Sequence, residues 1–116
     1  MKLEGEQVLL RIHLSNFVRW HGRPLYEALV EKARREHLAG ATVLTGMAGY
    51  LGKGPLLGEQ PFALQVERPV VLEIVDRAES IDQFLDRAAP MLEDHPVLVT
   101  LERAHVVHYR GGGPPR

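Results

Sequence analysis

The sequence predicts an α+β protein in which a four-stranded antiparallel sheet carries two helices on one face. Three observations predict this fold. Several stretches place an apolar residue at every second position, two others carry apolar residues at helical spacing, and the order strand–helix–strand occurs twice. A long loop at residues 51–68 separates the two halves. A repeated βαβ unit of this kind is typical of the split βαβ, or ferredoxin-like, fold.

The first half begins with residues 8–14, whose alternation predicts a half-buried strand. A helix is predicted from Pro24 to Leu38, because proline is tolerated in a first helical turn and apolar residues follow at helical spacing. Gly40 is the expected helix stop. The run that follows begins with β-branched residues and predicts a second strand over residues 41–50.

The second half repeats this order. Pro69–Val75 is predicted to be a strand, with proline at the first position, where it is allowed. Ser80 and Gln83 form a predicted capping box at the start of a second helix, which runs to Leu92. The last strand is predicted over residues 97–109.

The length and composition suit one small domain. The chain has 116 residues, and we expect a domain at residues 1–110 and a disordered tail at residues 111–116. A formal net charge of −1 argues against binding to duplex nucleic acid. Cysteine is absent, and no apolar run approaches the roughly 18 residues that suggest a membrane span. The cytoplasm is therefore the expected location.

Catalysis, metal binding and RNA binding find little support in the sequence. The predicted strands at residues 8–14 and 69–75 lack the aromatic side chains on which RNA bases stack. No serine or pair of acids stands in a setting suited to hydrolysis, so we predict no enzyme. Asp76 fits a turn or cap better. His105 and His108 fall on opposite faces of a predicted strand, and we predict no metal site.

The glycine-spaced segment after the second strand is the best candidate for ligand binding. Backbone amides there could approach an anion closely, and the residues concerned are Gly49, Gly52, Lys53 and Gly54. His108 and Arg110 share a face of the last predicted strand and could reach the same phosphate. From spacing alone, a loose hairpin is an alternative interpretation of the glycine-spaced segment, and a solvated basic strand end is an alternative interpretation of His108 and Arg110.

One face of the predicted sheet carries no helix. Leu9, Arg11 and His13 of the first strand lie on that face. The third strand adds either the set that contains Val71, Glu73 and Val75 or the opposite set. A half-apolar open face is usually buried by self-association, so we expect an oligomer.

Three segments resemble the PII-like family catalogued as domain of unknown function 190. They are residues 22–33, 39–52 and 69–76, which occur in the right order within residues 6–110. Through this family the chain is similar to PII signalling proteins. The resemblance implies a trimer of ferredoxin-like subunits that binds adenine nucleotides in clefts between subunits. It also implies that the loop at residues 51–68 engages and regulates a partner.

The resemblance assigns roles to individual positions. Thr42 matches a strand-two threonine that lies beside adenine, and Gly49 and Gly52 match the opening of the PII effector loop. His108 and Arg110 lie in the run that supplies two phosphate-binding arginines in PII proteins. The nucleotide-binding residues implied in this way are Thr42, Gly49, Gly52, Lys53, Val70, His108 and Arg110.

The chain departs from the PII pattern at the phosphate end. His108 replaces one arginine, and residues 93–96 replace the Gly-Asp-Gly-Lys loop that wraps the phosphates. Because each charge-assisted contact is worth roughly 1–3 kcal/mol, we expect AMP or ADP to be preferred over ATP.

We therefore expect a cytoplasmic homotrimer that requires no cofactor, binds no nucleic acid and senses an adenine nucleotide. Its protein target is unknown, and a membrane transporter is an expectation by analogy. Two alternatives stay open: a trimeric binding protein for another small anion or a metal, and an interaction module without nucleotide binding.

Overall fold

The computed structural model describes residues 3–58 and 66–112. Within this part of the chain, the elements are β1 (Gly5–Ser15), β2 (Arg19–Trp20), β3 (Arg23–Pro24), α1 (Leu25–Arg35), β4 (Thr42–Thr45), β5 (Pro69–Asp76), α2 (Ala78–Leu92) and β6 (Leu98–Val106). Residues 59–65 of the predicted loop lie outside the described residues, as do residues 113–116 of the predicted tail.

The main sheet has four antiparallel strands in the order β4-β5-β1-β6. This is the strand order of the ferredoxin-like fold, and it confirms the predicted fold class. Ser15 at the end of β1 pairs with Pro69 at the start of β5, whereas Gly5 at the start of β1 pairs with Val106 at the end of β6. The start of β5 and the end of β6 therefore lie at opposite ends of the sheet.

Both helices pack on one face of this sheet, and alternate strand residues fill the layer between them. This alternation places the even-numbered residues of β1 and β5 toward the helices and leaves Arg11 and Glu73 on the open face. The helices contribute apolar residues at helical spacing. The largest fully buried apolar side chains of the core are Leu10, Ile12, Leu25, Leu29, Leu72, Ile74, Ile81 and Phe84.

Helix α1 starts later and ends earlier than predicted. Pro24 is its N-cap, and the helix ends at Arg35 rather than at Leu38. His37 adopts a positive φ of 61°, and the amides of His37 and Leu38 donate hydrogen bonds to carbonyls of the last helical turn. This is the pattern of a Schellman motif, with histidine at the position that usually holds glycine. Gly40 is therefore not the helix stop.

Helix α2 begins at Ala78, so the predicted capping box at Ser80 is wrong. The chain enters this helix from Asp76, whose side chain is almost fully buried. The Asp76 carboxylate accepts hydrogen bonds from the amides of Arg77 and Ala39, each at 2.7 Å. These two bonds satisfy the carboxylate and tie the α1–β4 connection to the start of α2, which is the turn role expected for Asp76.

Strand β4 covers Thr42–Thr45 instead of residues 41–50. Its partner β5 begins at Pro69, and the Pro69 carbonyl accepts a hydrogen bond from the Gly46 amide at 2.7 Å. Strand β5 does not extend past Pro69, so the pairing of β4 with β5 stops there.

Strand β6 covers Leu98–Val106 instead of residues 97–109. It loses its partner because β1 begins at Gly5. His108 and Arg110 therefore lie beyond the strand, and strand alternation does not put them on a common face.

Strands β2 and β3 form a small hairpin that the sequence did not predict. Its two turn residues, His21 and Gly22, have φ values of 48° and 80°. Positive φ at both positions is what a type I′ hairpin turn requires. The hairpin delivers Trp20 to the edge of the core, where its ring packs partly buried.

Candidate functional site

A cavity of about 410 Å³ opens at the end of the sheet where β5 begins. Its walls are largely apolar and include Leu14, Val18, Val70 and Leu98. Residues of the glycine-rich segment 46–57 form the other side. We name this space the loop-end cavity.

The glycine-rich segment folds back on itself beside this cavity. The Gly49 amide donates to the Leu57 carbonyl at 3.0 Å, and the Leu57 amide donates to the Gly49 carbonyl at 2.8 Å. The Gly54 amide donates to the Leu51 carbonyl at 2.9 Å, which closes a turn in which Gly52 has a φ of 57°. The buried Leu57 side chain anchors one end of the segment, and the hydrogen bond from the Gly46 amide to the Pro69 carbonyl anchors the other.

Gly46 is a point where this segment approaches the sheet very closely. A Cβ atom at this position would lie 2.9 Å from Cγ of Pro69 and 3.3 Å from its carbonyl oxygen. Only glycine fits there without a shift of the proline or of the backbone. The close approach fixes where the segment leaves β4.

The end of the loop is held against the same cavity wall. The Asn16 side chain accepts from the Arg68 amide at 2.8 Å and donates to the Val66 carbonyl at 3.1 Å. The Ser15 hydroxyl donates to the Glu67 carboxylate at 2.6 Å. Ser15 and Glu67 are polar groups in an otherwise mainly apolar lining.

A second concave site, of about 340 Å³, lies at the opposite end of the sheet. We name it the strand-end groove; Thr42, His108 and Tyr109 are among its lining residues. The Tyr109 hydroxyl donates to the Ala39 carbonyl at 2.8 Å, which holds the segment after β6 beside the α1–β4 connection. Arg110 follows directly and is exposed.

The seven nucleotide-binding residues predicted from the sequence fall into two groups. The group at or beside the loop-end cavity consists of Gly49, Gly52, Lys53 and Val70. The group at or beside the strand-end groove consists of Thr42, His108 and Arg110. Within one chain the fold does not bring the two groups together, because they lie at opposite ends of the sheet.

Some residues at these sites were not predicted. Tyr109 lies between two predicted site residues, His108 and Arg110. An aromatic residue at that position could have indicated that it also lines the site. Gly46 belongs to the glycine-spaced run that the sequence displays. Ser15 and Glu67 lie 52 positions apart, and no local pattern connects them.

The open face of the sheet carries a charge cluster. Nε of Arg11 lies 2.8 Å from the Glu73 carboxylate, and the same guanidinium hydrogen-bonds to Glu102. The hydrogen bond to Glu73 and the charges of both carboxylates raise the pKa of Arg11. Leu44 and Val71 line the same shallow surface, so the open face is partly apolar and partly paired charge.

Neither a metal-binding cluster nor a membrane-spanning helix is found among the described residues. No group of three histidine, aspartate or glutamate side chains in this part of the chain could hold a metal ion. None of the helices within residues 3–58 and 66–112 is long and apolar enough to cross a membrane. Polar groups that line the two sites include hydroxyl, imidazole and carboxylate groups.

The sequence has relatives among proteins of unknown function. The profile of the DUF190 family, described as an uncharacterized ACR, matches residues 7–106. A UPF0166 protein of Aquifex aeolicus is 37% identical over 100 residues, which cover 86% of this chain and 92% of that protein. A UPF0166 protein of Methanocaldococcus jannaschii is 29% identical over 103 residues, which cover 89% and 92%.

Solved structures show the same fold at low sequence identity. CPII from Thiomonas intermedia, described as a nitrogen regulatory PII-like protein bound to ADP, AMP and bicarbonate, superposes with a TM-score of 0.67 at 15% identity and covers 89% of this chain and 90% of its own. A candidate PII-like signalling protein from Thermus thermophilus gives 0.64 at 21% identity, with coverages of 92% and 94%. The chain therefore belongs to the DUF190 family and has the fold of PII-like proteins.

Proposed function

We propose that this protein is a regulatory adenine-nucleotide sensor, and not an enzyme, that binds its ligand between subunits of a homotrimer. The observation that carries the proposal is the separation of the candidate residues into two groups at opposite ends of the sheet. The PII-like neighbour CPII, described with ADP and AMP bound, supports the choice of ligand.

The separation favours a site built by two chains. Val70 and Val75 are five residues apart on β5, which corresponds to about 17 Å along a strand. One mononucleotide is too short to contact the residues at both ends of the same sheet. A head-to-tail ring places the loop-end cavity of one subunit beside the strand-end groove of its neighbour, and rings of this kind close with cyclic symmetry.

The two half-sites offer complementary chemistry. The loop-end cavity provides the apolar walls of Leu14, Val70 and Leu98, which suit one side of a planar base. The strand-end groove adds the hydroxyl of Thr42 and the imidazole of His108, with the Arg110 guanidinium next in sequence. One arginine and one histidine suit a short phosphate chain, so AMP or ADP is the proposed ligand rather than ATP.

The loop at residues 51–68 is the proposed effector element. Its first part is closed by the paired hydrogen bonds between Gly49 and Leu57 and borders the loop-end cavity. A ligand in that cavity would contact the segment and favour one of its conformations. Tyr50 and Leu56 are exposed apolar side chains on the segment, and they suit contact with a protein target, by analogy a membrane transporter.

The open face supports assembly. Leu44 and Leu98 on this face are 49% and 45% exposed in the single chain. A second and a third copy would cover them and bring the two half-sites together.

Calorimetric titration with AMP, ADP and ATP tests the ligand. We expect AMP or ADP to bind more tightly than ATP, and Arg110→Gln to weaken binding by about tenfold or more. Arg103→Gln is the matched control, because Arg103 is an exposed residue of β6 that lines neither half-site. Absence of heat with all three nucleotides, or equal losses in the two variants, would remove the nucleotide from the proposal.

Light scattering tests the assembly. We expect the mass of a trimer for the wild-type chain and a smaller mass for Leu44→Lys, which places a charge on the open face. A wild-type monomer at the concentrations used for calorimetry would contradict the intersubunit site.

A further inference from the structure

A groove of about 410 Å³ lies between the two helices and the β2–β3 hairpin. It shares no lining residue with the loop-end cavity or the strand-end groove. Its charged lining residues are Arg23, Lys32, Arg35 and Arg87, and none of the described residues that line it is acidic. We name it the helix groove.

The spacing of the helices builds this groove. On α1, Ala28, Lys32 and Arg35 follow one another at intervals of four and three, so they share one helix face. On α2, Arg87 and Met91 are four residues apart and face the same space. Two cationic helix faces therefore meet across a small apolar floor.

Neighbouring carboxylates neutralise only part of this charge. Glu36, whose side chain is 13% exposed, lies 3.1 Å from Nζ of Lys32 and 3.6 Å from the guanidinium of Arg87. One carboxylate thus serves two cations of the groove. Within the described residues, no carboxylate lies within 4.0 Å of Arg35, but the charge of Glu31 interacts with Arg35 at longer range.

The hairpin end of the groove is more nearly balanced. Arg23 pairs with Glu31 at 2.6 Å and more distantly with Glu27 at 3.9 Å. The excess of positive charge is therefore concentrated on the part formed by Lys32, Arg35 and Arg87, where Glu36 makes the ion pairs.

We propose that the helix groove is a binding site for the phosphoryl group of a small molecule, separate from the proposed nucleotide site. Arginine presents a planar fork of N–H donors that matches a phosphoryl group, and lysine adds a mobile positive charge. The groove brings two arginines and one lysine from two helices around one concave space, where Glu36 makes ion pairs with two of them and Glu31 interacts with Arg35 at longer range. A phosphoryl group adds negative charge where the cations outnumber the carboxylates that pair with them.

Trp20 makes this site directly observable. It is the single tryptophan of the chain, and it lines the helix groove with His21 stacked on it at 4.2 Å between ring centres. Inorganic phosphate and pyrophosphate are the probes. We expect a saturable change in tryptophan fluorescence with both, and tighter binding of pyrophosphate because it carries more charge. Sodium chloride at equal ionic strength is the control and should give no saturable change.

Three variants test the assignment. Arg35→Gln and Arg87→Gln should each weaken pyrophosphate binding by about tenfold. Arg34→Gln is the matched control, since this neighbouring arginine of α1 does not line the groove, and it should bind as the wild type does. Glu36→Gln keeps the shape of the side chain but removes the internal counter-charge, so it should bind pyrophosphate several-fold more tightly.

Three results would overturn the proposal. One is a fluorescence change that sodium chloride reproduces at equal ionic strength. Another is an equal loss of binding in Arg34→Gln and Arg35→Gln, which would indicate a general charge effect. The third concerns Arg110. Arg110→Gln separates this proposal from the nucleotide site: it should leave the pyrophosphate response intact, and a parallel loss would assign the response to the strand-end groove.

Discussion

The two faces of the sheet differ in how completely a single chain covers them. On the helix side, Leu72 and Ile74 of β5 are fully buried, and Phe84 of α2 packs in the same layer. On the open side, Leu44 and Leu98 keep nearly half of their surface. The covered face is a finished core, whereas the open face has the composition of a surface that another copy would complete.

The two faces contribute to stability in different ways, one within a single chain and the other between chains. Apolar burial on the covered face stabilises the fold of one chain. Burial on the open face can contribute only when chains meet, so its contribution depends on protein concentration.

A cavity in the covered face should have the largest effect. Phe84→Ala removes a fully buried ring, and we expect a loss of about 3–5 kcal/mol in the free energy of unfolding. Urea denaturation followed by circular dichroism measures it. The loss in Phe84→Ala should stay the same across protein concentrations, whereas any loss in Leu44→Ala should grow as the concentration rises. If the two variants respond alike, the comparison between the faces fails.

A substitution at the end of the sheet should have an intermediate effect. Gly46→Ala forces a Cβ atom against Pro69, so we expect a loss of about 1–3 kcal/mol in the free energy of unfolding. Gly40→Ala is the control, because open space surrounds that position and its φ is not positive. Equal stability of the two variants by urea denaturation would mean that the close approach at Gly46 costs nothing to relieve.

Relieving the backbone strain at His37, after the end of α1, should have a smaller effect on stability, and it should increase stability rather than reduce it. His37 holds a left-handed conformation that glycine adopts without steric cost, and its side chain is exposed. We therefore expect His37→Gly to raise the free energy of unfolding by about 0.5–1 kcal/mol. A decrease measured in urea would show that the histidine side chain contributes contacts that outweigh the strain.

The smallest expected effect on stability concerns the ion pair between Arg23 and Glu31 on the surface. The hydrogen bond and the charge of Arg23 lower the pKa of Glu31. A carboxylate with a lowered folded-state pKa stabilises the fold above its unfolded pKa, and this contribution is lost as the pH falls through the folded value. In Arg23→Gln, an NMR titration should find a higher pKa for Glu31 and a weaker acid dependence of stability. An unchanged pKa would show that the pair does not persist in solution.

Much of the fold could be predicted because local pattern and tertiary structure agree. The alternation in residues 8–14 and the helical spacing after Pro24 gave the right elements on the right faces. The errors occurred where a residue adopted an unusual backbone or where a neighbour was missing. His21 and His37 take positive φ without being glycine, and β4 and β6 stop where their partner strands begin or end.

The candidate site was harder to predict than the fold. Thr42 and Gly49 are close in sequence, and the resemblance to PII proteins assigned both to one ligand. Their placement at opposite ends follows from the strand that lies between them, since Thr42 begins β4 and Gly49 lies beyond the end of β4 at Thr45. Local sequence does not show which distant residues each end contacts, and the helix groove likewise depends on Arg35 of α1 and Arg87 of α2, which lie 52 positions apart in the chain.

The buried carboxylate of Asp76 has a consequence for the way this chain opens. Ala39 lies outside every helix and strand, yet its amide donates to Asp76 and its carbonyl accepts from Tyr109. One residue, through the two peptide groups that flank its Cα, thus joins the first βαβ half, the second half and the segment after the last strand. In native-state hydrogen exchange, the Ala39 amide should exchange with deuterium as slowly as amides in the centre of β1, so that the two halves open as a single cooperative unit.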